Sequence, residues 1–97
     1  MSPRELSKDR ERADAWLARA EDNVEKWGEQ SIETLLLATQ EELGGLTRAV
    51  LEYRSDEGYY GPVSEELDDL ASLVFQLAWA IEAHRRCTDR PQQGGEP

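Results

Sequence analysis

The chain has 97 residues, of which 21 are acidic and 11 are basic, and its formal net charge is −10. This length indicates one small domain. The acidic balance, without a stripe of Lys and Arg, argues against binding to nucleic acid or to an anionic membrane. Nine of the 11 basic residues are Arg, and such an acid-rich, lysine-poor surface resembles that of proteins from salt-loving organisms.

The cysteine content and the apolar segments favour a soluble, cytoplasmic protein. Cys87 is the single cysteine, so an internal disulfide cannot form, as expected in a reducing compartment. The first ten residues, MSPRELSKDR, lack the apolar core of a signal peptide. The longest nearly apolar run, LASLVFQLAWAI (70–81), contains Gln76 and is too short to cross a bilayer. We therefore expect no membrane partner.

The first two helices can be placed from their end signals. Ser2 and Pro3 form a capping-box start for a first helix, which we expect to end at Gly28. Ser31 can cap a second helix that ends near Arg54. Strand signals are weak throughout, so the fold class expected is all-α.

A third helix is expected after the turn and breaker residues of SDEGYYGP (55–62). It can begin at Pro62 or Ser64, which would place the acids that follow in its first turn, where they complement the helix dipole. The all-helical domain would then cover residues 1–87. The remaining segment, 88–97, is polar and contains Pro and Gly, and we expect it to be disordered.

The third helix is apolar on almost every side between Leu67 and Ile81. One short neighbour cannot cover that circumference, and a helix that is apolar all round is normally buried all round. We therefore expect a homodimer or homotetramer whose third helices help to form a shared bundle. A monomer with exposed apolar surface is the alternative. Trp27 and Phe75 could stack a nucleotide base, but we expect them in the core.

Carboxylates interrupt the apolar faces of the second and third helices. Glu42 takes the place of an apolar residue in a stripe with three-or-four spacing. That stripe consists of Leu35, Ala38, Leu46, Ala49 and Tyr53. Glu66 and Asp69 head an apolar face of the third helix in the same way. An antiparallel hairpin that turns near residue 55 would place 42 opposite 69, and 45 opposite 66.

Several carboxylates that converge in a helical bundle repel one another unless a cation neutralises them. Oxygen ligands of this kind favour Mg²⁺ or Mn²⁺. The structural alternative is an ion pair between Glu42 and a buried arginine, for which Arg19 and Arg48 are the candidates.

The segments QEELGGLTRAV (40–50) and SEELDDLASLVFQL (64–77) together resemble the MazG-like, all-α nucleoside triphosphate pyrophosphohydrolases. The motif of that family is ExxE on one helix and ExxD on the next. Glu66 and Asp69 match ExxD, and Glu42 matches the first glutamate of ExxE. Gly45 stands where the second glutamate is expected.

The resemblance implies an assembly of helical hairpins, Mg²⁺ held by the motif acids, and hydrolysis of a nucleoside triphosphate to a monophosphate and pyrophosphate. Glu42, Glu66 and Asp69 would then be both catalytic and metal-binding. Glu41 and Asp68 are candidate substitutes for the missing glutamate at position 45. A related activity, phosphoribosyl-ATP pyrophosphohydrolysis, is a further candidate.

The glycine at position 45 keeps a second function open. With one motif carboxylate replaced, the chain can be a non-catalytic relative, an oligomeric interaction or nucleotide-sensing module with a decayed metal site. If a nucleotide binds, the candidate contacts are Lys26, Arg48, Tyr59 and Tyr60. Two successive glycines each cost a helix about 1 kcal/mol relative to alanine, which suggests close approach of another helix or of a ligand.

Overall fold

The computed structural model describes residue 6, residues 9–55 and residues 58–89, and these parts of the chain contain helices and no strand. The helices, in chain order, are α1 (Arg10–Trp27), α2 (Ile32–Arg54) and α3 (Tyr60–Asp89). The all-α prediction with three main helices is confirmed. Within the described ranges no helix is long and apolar enough to cross a membrane.

The helix-end signals predicted for Gly28 and Ser31, between α1 and α2, are confirmed. Gly28 adopts a φ of 77°, a conformation that favours glycine, and its N–H donates to the Val24 carbonyl at 2.8 Å. Ser31 caps α2, because its Oγ accepts a hydrogen bond from the Thr34 backbone N–H at 3.0 Å. The predicted start of the first helix at Ser2 lies outside the described residues.

The ends of α3 differ from the prediction. The helix begins at Tyr60, so Pro62 lies within its first turn, where the missing N–H of proline would have no helical partner in any case. At the other end α3 continues to Asp89, two residues into the segment expected to be a tail, and residues 90–97 are outside the described part. This early start leaves no acid in the first turn, so the dipole does not explain the acidic cluster of 65–69.

Helix α3 is the centre of the fold, because α1 and α2 each pack against it and do not approach each other closely. The apolar core of the described residues is small. It consists of Ala20 from α1, Leu35 and Ala49 from α2, and Val63 from α3. Leu35 is the largest of these side chains and is 2 % exposed.

The centre of α3 buries two polar side chains, and both have partners. The Ser72 hydroxyl donates to the Asp69 carbonyl at 3.0 Å within the helix. The Gln76 side-chain oxygen accepts a hydrogen bond from the Asn23 amide at 3.1 Å. The second contact ties α1 to α3 through polar atoms, so apolar packing is not the sole link between these helices.

The single chain leaves a large part of its apolar surface exposed. Trp27, expected in the core, is 70 % exposed, and that prediction is wrong because the residue lies at the very end of α1. Phe75 is 36 % exposed, so it too is not a core residue of the single chain. Tyr53, at the end of the predicted buried stripe, is 46 % exposed and packs edge-on against Tyr60 with ring centroids 5.6 Å apart.

We expect Leu35→Ala to lower the free energy of unfolding by about 2 to 5 kcal/mol, the usual cost of truncating a buried leucine. That loss would be a large part of the total stability of a small domain. Urea denaturation followed by circular dichroism measures it. Ile81→Ala is the matched control, because Ile81 is 46 % exposed, and a loss as large as that of Leu35→Ala would contradict the position of the core.

Candidate metal site

Three carboxylates meet where α2 packs against α3. Glu42 comes from the middle of α2, and Glu66 and Asp69 are one turn apart on α3. One oxygen from each of the three lies within 4.8 Å of the other two, and all three side chains are half-buried. The antiparallel pairing predicted for the hairpin therefore brings Glu42 together with both acids of the ExxD pair.

The electrostatics of the group show the cost of gathering negative charge. Burial raises the pKa of Glu42 above its ordinary value of 4.5, and a hydrogen bond with the Glu66 carboxyl group raises it further. The negative charges of Asp69, Glu66 and Glu41 act in the same direction. A hard divalent cation such as Mg²⁺ or Mn²⁺ suits this group, because three carboxylate oxygens lie within reach of one ion. The cation would also offset the negative charges that repel one another.

Gly45 provides the space that Glu66 occupies. A Cβ atom added at position 45 would lie 2.6 Å from Glu66 Oε1 and 3.0 Å from Glu66 Cδ. Any larger residue there would force the Glu66 carboxylate to move. The space beside the α2 backbone at position 45, where the resemblance would place a glutamate, is filled by Glu66 of α3.

Among the described residues, Arg19 is the one basic residue that forms an ion pair with a member of this group of three carboxylates, and its partner is Asp69. The ion pair predicted as the structural alternative was between Glu42 and an arginine. The structure instead pairs Arg19 with Asp69 and leaves Glu42 beside two other acids. One guanidinium against three carboxylates leaves the site with excess negative charge.

Asp68 belongs to a different cluster and does not fill the place of the missing ligand. Its Oδ1 accepts hydrogen bonds from Trp16 Nε1 at 2.8 Å and from the Arg12 guanidinium at 3.1 Å, and Arg12 also donates to Ser64 Oγ at 3.1 Å. Burial alone would raise the pKa of Asp68, but the bonds from Trp16 and Arg12 outweigh it and lower the pKa below its ordinary value of 3.8. The suggestion that Asp68 substitutes at the metal site is therefore wrong.

A cleft of about 340 Å³ opens beside the carboxylates and is bordered by all three helices. Glu42 and Asp69 line it on one side, and Trp27 and Gln30 line it at the end of α1 and in the linker after it. Sequence reasoning missed Gln30 as a cleft residue and favoured the core for Trp27. The signal was weak, since Trp27 follows the apolar spacing of α1 and only its position next to Gly28 marks it as exposed.

The remaining site candidates do not join the three converging carboxylates. Glu41 is exposed and is not one of the residues whose oxygens converge. Lys26 is exposed and pairs with Asp22 at 3.4 Å on its own helix. Arg48 is exposed on α2, and Tyr59, at 74 % exposure, precedes α3.

Tyr60 is more closely connected to the Asp68 cluster than to the candidate metal site. A hydrogen bond from Arg12 to Tyr60 and one to Asp68 together raise the pKa of the Arg12 guanidinium. The ring of Tyr60 packs on Tyr53, as described above. None of Lys26, Arg48, Tyr59 and Tyr60 borders the cleft that contains Glu42 and Asp69.

Comparisons of the chain with protein-family models, with curated proteins and with solved structures find no match. The chemistry of the site must therefore be inferred from its own residues and their geometry.

In metal-free protein, we expect Glu42→Gln to increase the free energy of unfolding near pH 7. Because the pKa of Glu42 is raised, the folded state binds a proton more tightly than the unfolded state does. Protonation of Glu42 therefore stabilises the fold at low pH, and this stabilisation is lost as pH rises above 4.5 and through the raised pKa. Glutamine is neutral and removes that loss. Thermal denaturation in chelator at several pH values measures the effect.

Glu65→Gln is the control for this measurement, because Glu65 is exposed on the same helix and is not among the converging acids. The stabilising contribution of Asp68 is present above its ordinary pKa of 3.8 and is lost only as pH falls below that value, so it stays constant over the pH range in which Glu42 titrates. Lower stability of Glu42→Gln at pH 7 would contradict the proposed repulsion among the three carboxylates.

We expect Gly45→Ala to weaken binding of Mg²⁺ or Mn²⁺ because the new Cβ displaces the Glu66 carboxylate. The substitution should at the same time favour the helix by about 1 kcal/mol, so weaker binding could not be attributed to unfolding. Isothermal titration calorimetry with Mn²⁺ measures the affinity. Gly44→Ala is the matched control, because a Cβ at position 44 meets nothing within 4 Å, and equal affinity in the two variants would contradict the role of Gly45.

Proposed function

We propose that this chain is a MazG-like nucleoside triphosphate pyrophosphohydrolase that depends on Mg²⁺ or Mn²⁺ and works as a homodimer or homotetramer. The observation that supports this most is the convergence of Glu42, Glu66 and Asp69 within 4.8 Å at the edge of an open cleft. These are the three residues that the MazG-like motif would assign to the metal.

The charge of the site is suited to a substrate that arrives with a metal ion. A triphosphate alone would be repelled by the three carboxylates, whereas the same carboxylates attract a divalent cation. When bound, such a cation would polarise the phosphates, offset the developing negative charge and lower the pKa of an attacking water. The role of the carboxylates is then to position the cation against the substrate.

The other cleft residues suit a nucleotide. Arg19 already lies at the site in its ion pair with Asp69, and its guanidinium can turn to a phosphate oxygen once a cation neutralises that carboxylate. Trp27 presents a largely exposed ring on which a base can stack. Asn23 and Gln30 bring side-chain amides, which donate and accept hydrogen bonds, to the same cleft.

The alternative function is a non-catalytic module that binds a nucleotide or a partner through a decayed metal site. Gly45 favours it, because three carboxylates converge among the described residues where the motif has four. The ion pair of Arg19 with Asp69 also favours it, since that pair already neutralises part of the charge without a metal.

The enzyme proposal predicts release of pyrophosphate from at least one nucleoside triphosphate in the presence of Mg²⁺ or Mn²⁺, at low or high salt. Glu66→Gln should lower the rate by at least roughly 100-fold, because even outer partners of metal ligands commonly contribute 10- to 100-fold. Glu65→Gln, one residue away and exposed, should leave the rate unchanged.

Two results would count against an active enzyme. Mn²⁺ binding that depends on Glu66 without pyrophosphate release from any of the common nucleotides would support the non-catalytic alternative. Pyrophosphate release that survives in Glu42→Gln and Glu66→Gln would show that the activity does not come from this site.

A further inference from the structure

The face of α2 that points away from α3 is exposed and apolar along most of the helix. Leu36, Leu37, Leu43 and Leu51 are between 43 % and 63 % exposed. At 100° per residue these leucines share one side of the helix, opposite the side that contains Leu35, Glu42 and Ala49. Four exposed leucines on one face of a helix in a strongly acidic chain indicate an interaction surface.

The face is complementary to itself when a second copy is laid antiparallel against it. We place the twofold axis midway between Leu43 and Gly44. A residue that lies a given number of positions before this midpoint in one copy then lies opposite the residue the same number of positions after it in the other copy. The resulting pairs include Leu36 with Leu51 and Gln40 with Thr47. Apolar residues thus meet apolar residues, and the amide of Gln40 meets a hydroxyl that can accept its hydrogen bond.

The charges at the two ends of the face support the same register. Glu33, in the first turn of α2, would lie opposite Arg54, in the last turn, and the twofold axis produces this ion pair twice. Both residues are exposed, and a parallel arrangement would instead place Glu33 against Glu33 and Arg54 against Arg54. Charge complementarity therefore selects the antiparallel arrangement.

The two glycines of α2 face different neighbours. Gly45 faces α3 and accommodates Glu66, whereas an added Cβ at Gly44 meets nothing within 4 Å in the single chain. In the antiparallel pair Leu43 of one copy lies beside Gly44 of the other, where the missing side chain leaves room for the leucine. A small residue at the crossing point lets two helices approach more closely, because the distance between helix axes depends on the side chains at the contact.

We propose that the outer face of α2, defined by Glu33, Leu36, Leu37, Leu43, Gly44, Leu51 and Arg54, is the interface of an antiparallel homodimer. The occupant of this face is a second copy of the chain. The two carboxylate sites lie on the opposite sides of the paired α2 helices, so dimer formation leaves both clefts open. This assignment is independent of the enzyme activity and can succeed or fail without it.

The test reverses the charges of Glu33 and Arg54 one at a time and measures dimerisation by analytical ultracentrifugation over a range of protein concentrations. We expect wild type to dimerise, and Glu33→Arg and Arg54→Glu to dimerise at least about tenfold more weakly, because each variant alone opposes like charges at both ends. An equimolar mixture of the two variants should regain dimerisation, since every Arg then meets a Glu in the other copy. A folding defect in either variant would not be repaired by mixing.

A second pair of variants separates this face from the other exposed apolar surface. Leu43→Glu should produce a monomer with unchanged helical circular dichroism, whereas Ile81→Glu, on the exposed side of α3, should still dimerise. The proposal is overturned if wild type remains a monomer at high concentration, if the mixture of charge variants stays as weak as its components, or if Ile81→Glu alone abolishes the dimer.

Discussion

The approach of the Glu66 carboxylate to the backbone of Gly45 is the contact on which the candidate site depends. It allows a carboxylate of α3 to reach the surface of α2 and to lie within 4.8 Å of Glu42 and Asp69. The same closeness makes the group unstable by itself, because burial and neighbouring charges raise the pKa of Glu42. Gly45 thus lowers the stability of α2 but makes room for the Glu66 carboxylate beside Glu42 and Asp69.

The sequence was sufficient to predict the helices and the pairing of Glu42 with Glu66 and Asp69, because both follow from regular spacing. Ser31 and Gly28 mark helix ends through local hydrogen bonds and backbone conformation, which need no knowledge of the rest of the fold. The midpoint of the hairpin then determines which turn of α2 faces which turn of α3. These features depend on neighbours along the chain or on one antiparallel contact.

The errors concern features that depend on which helix lies beside which. Trp27 has the spacing of a core residue, but α1 ends before another helix can cover the ring, so it is 70 % exposed. Asp68 was expected to complement a helix dipole or to assist a metal, and it is bound instead by Trp16 and Arg12 from α1. Spacing within α3 could not reveal that α1 packs on the side where Asp68 lies.

The position of α1 has a consequence for the residues that line the cleft. This helix contributes Arg19 and Trp27 to the cleft wall, and among the described helices it packs on α3 alone. Its links to α3 are a small apolar contact, the hydrogen bonds to Gln76 and Asp68, and the ion pair of Arg19 with Asp69. The carboxylates, by contrast, are fixed by the α2–α3 hairpin. A displacement of α1 would therefore break the ion pair of Arg19 with Asp69 and move the guanidinium and the indole away from the cleft, while the α2–α3 hairpin would still hold the three acids together.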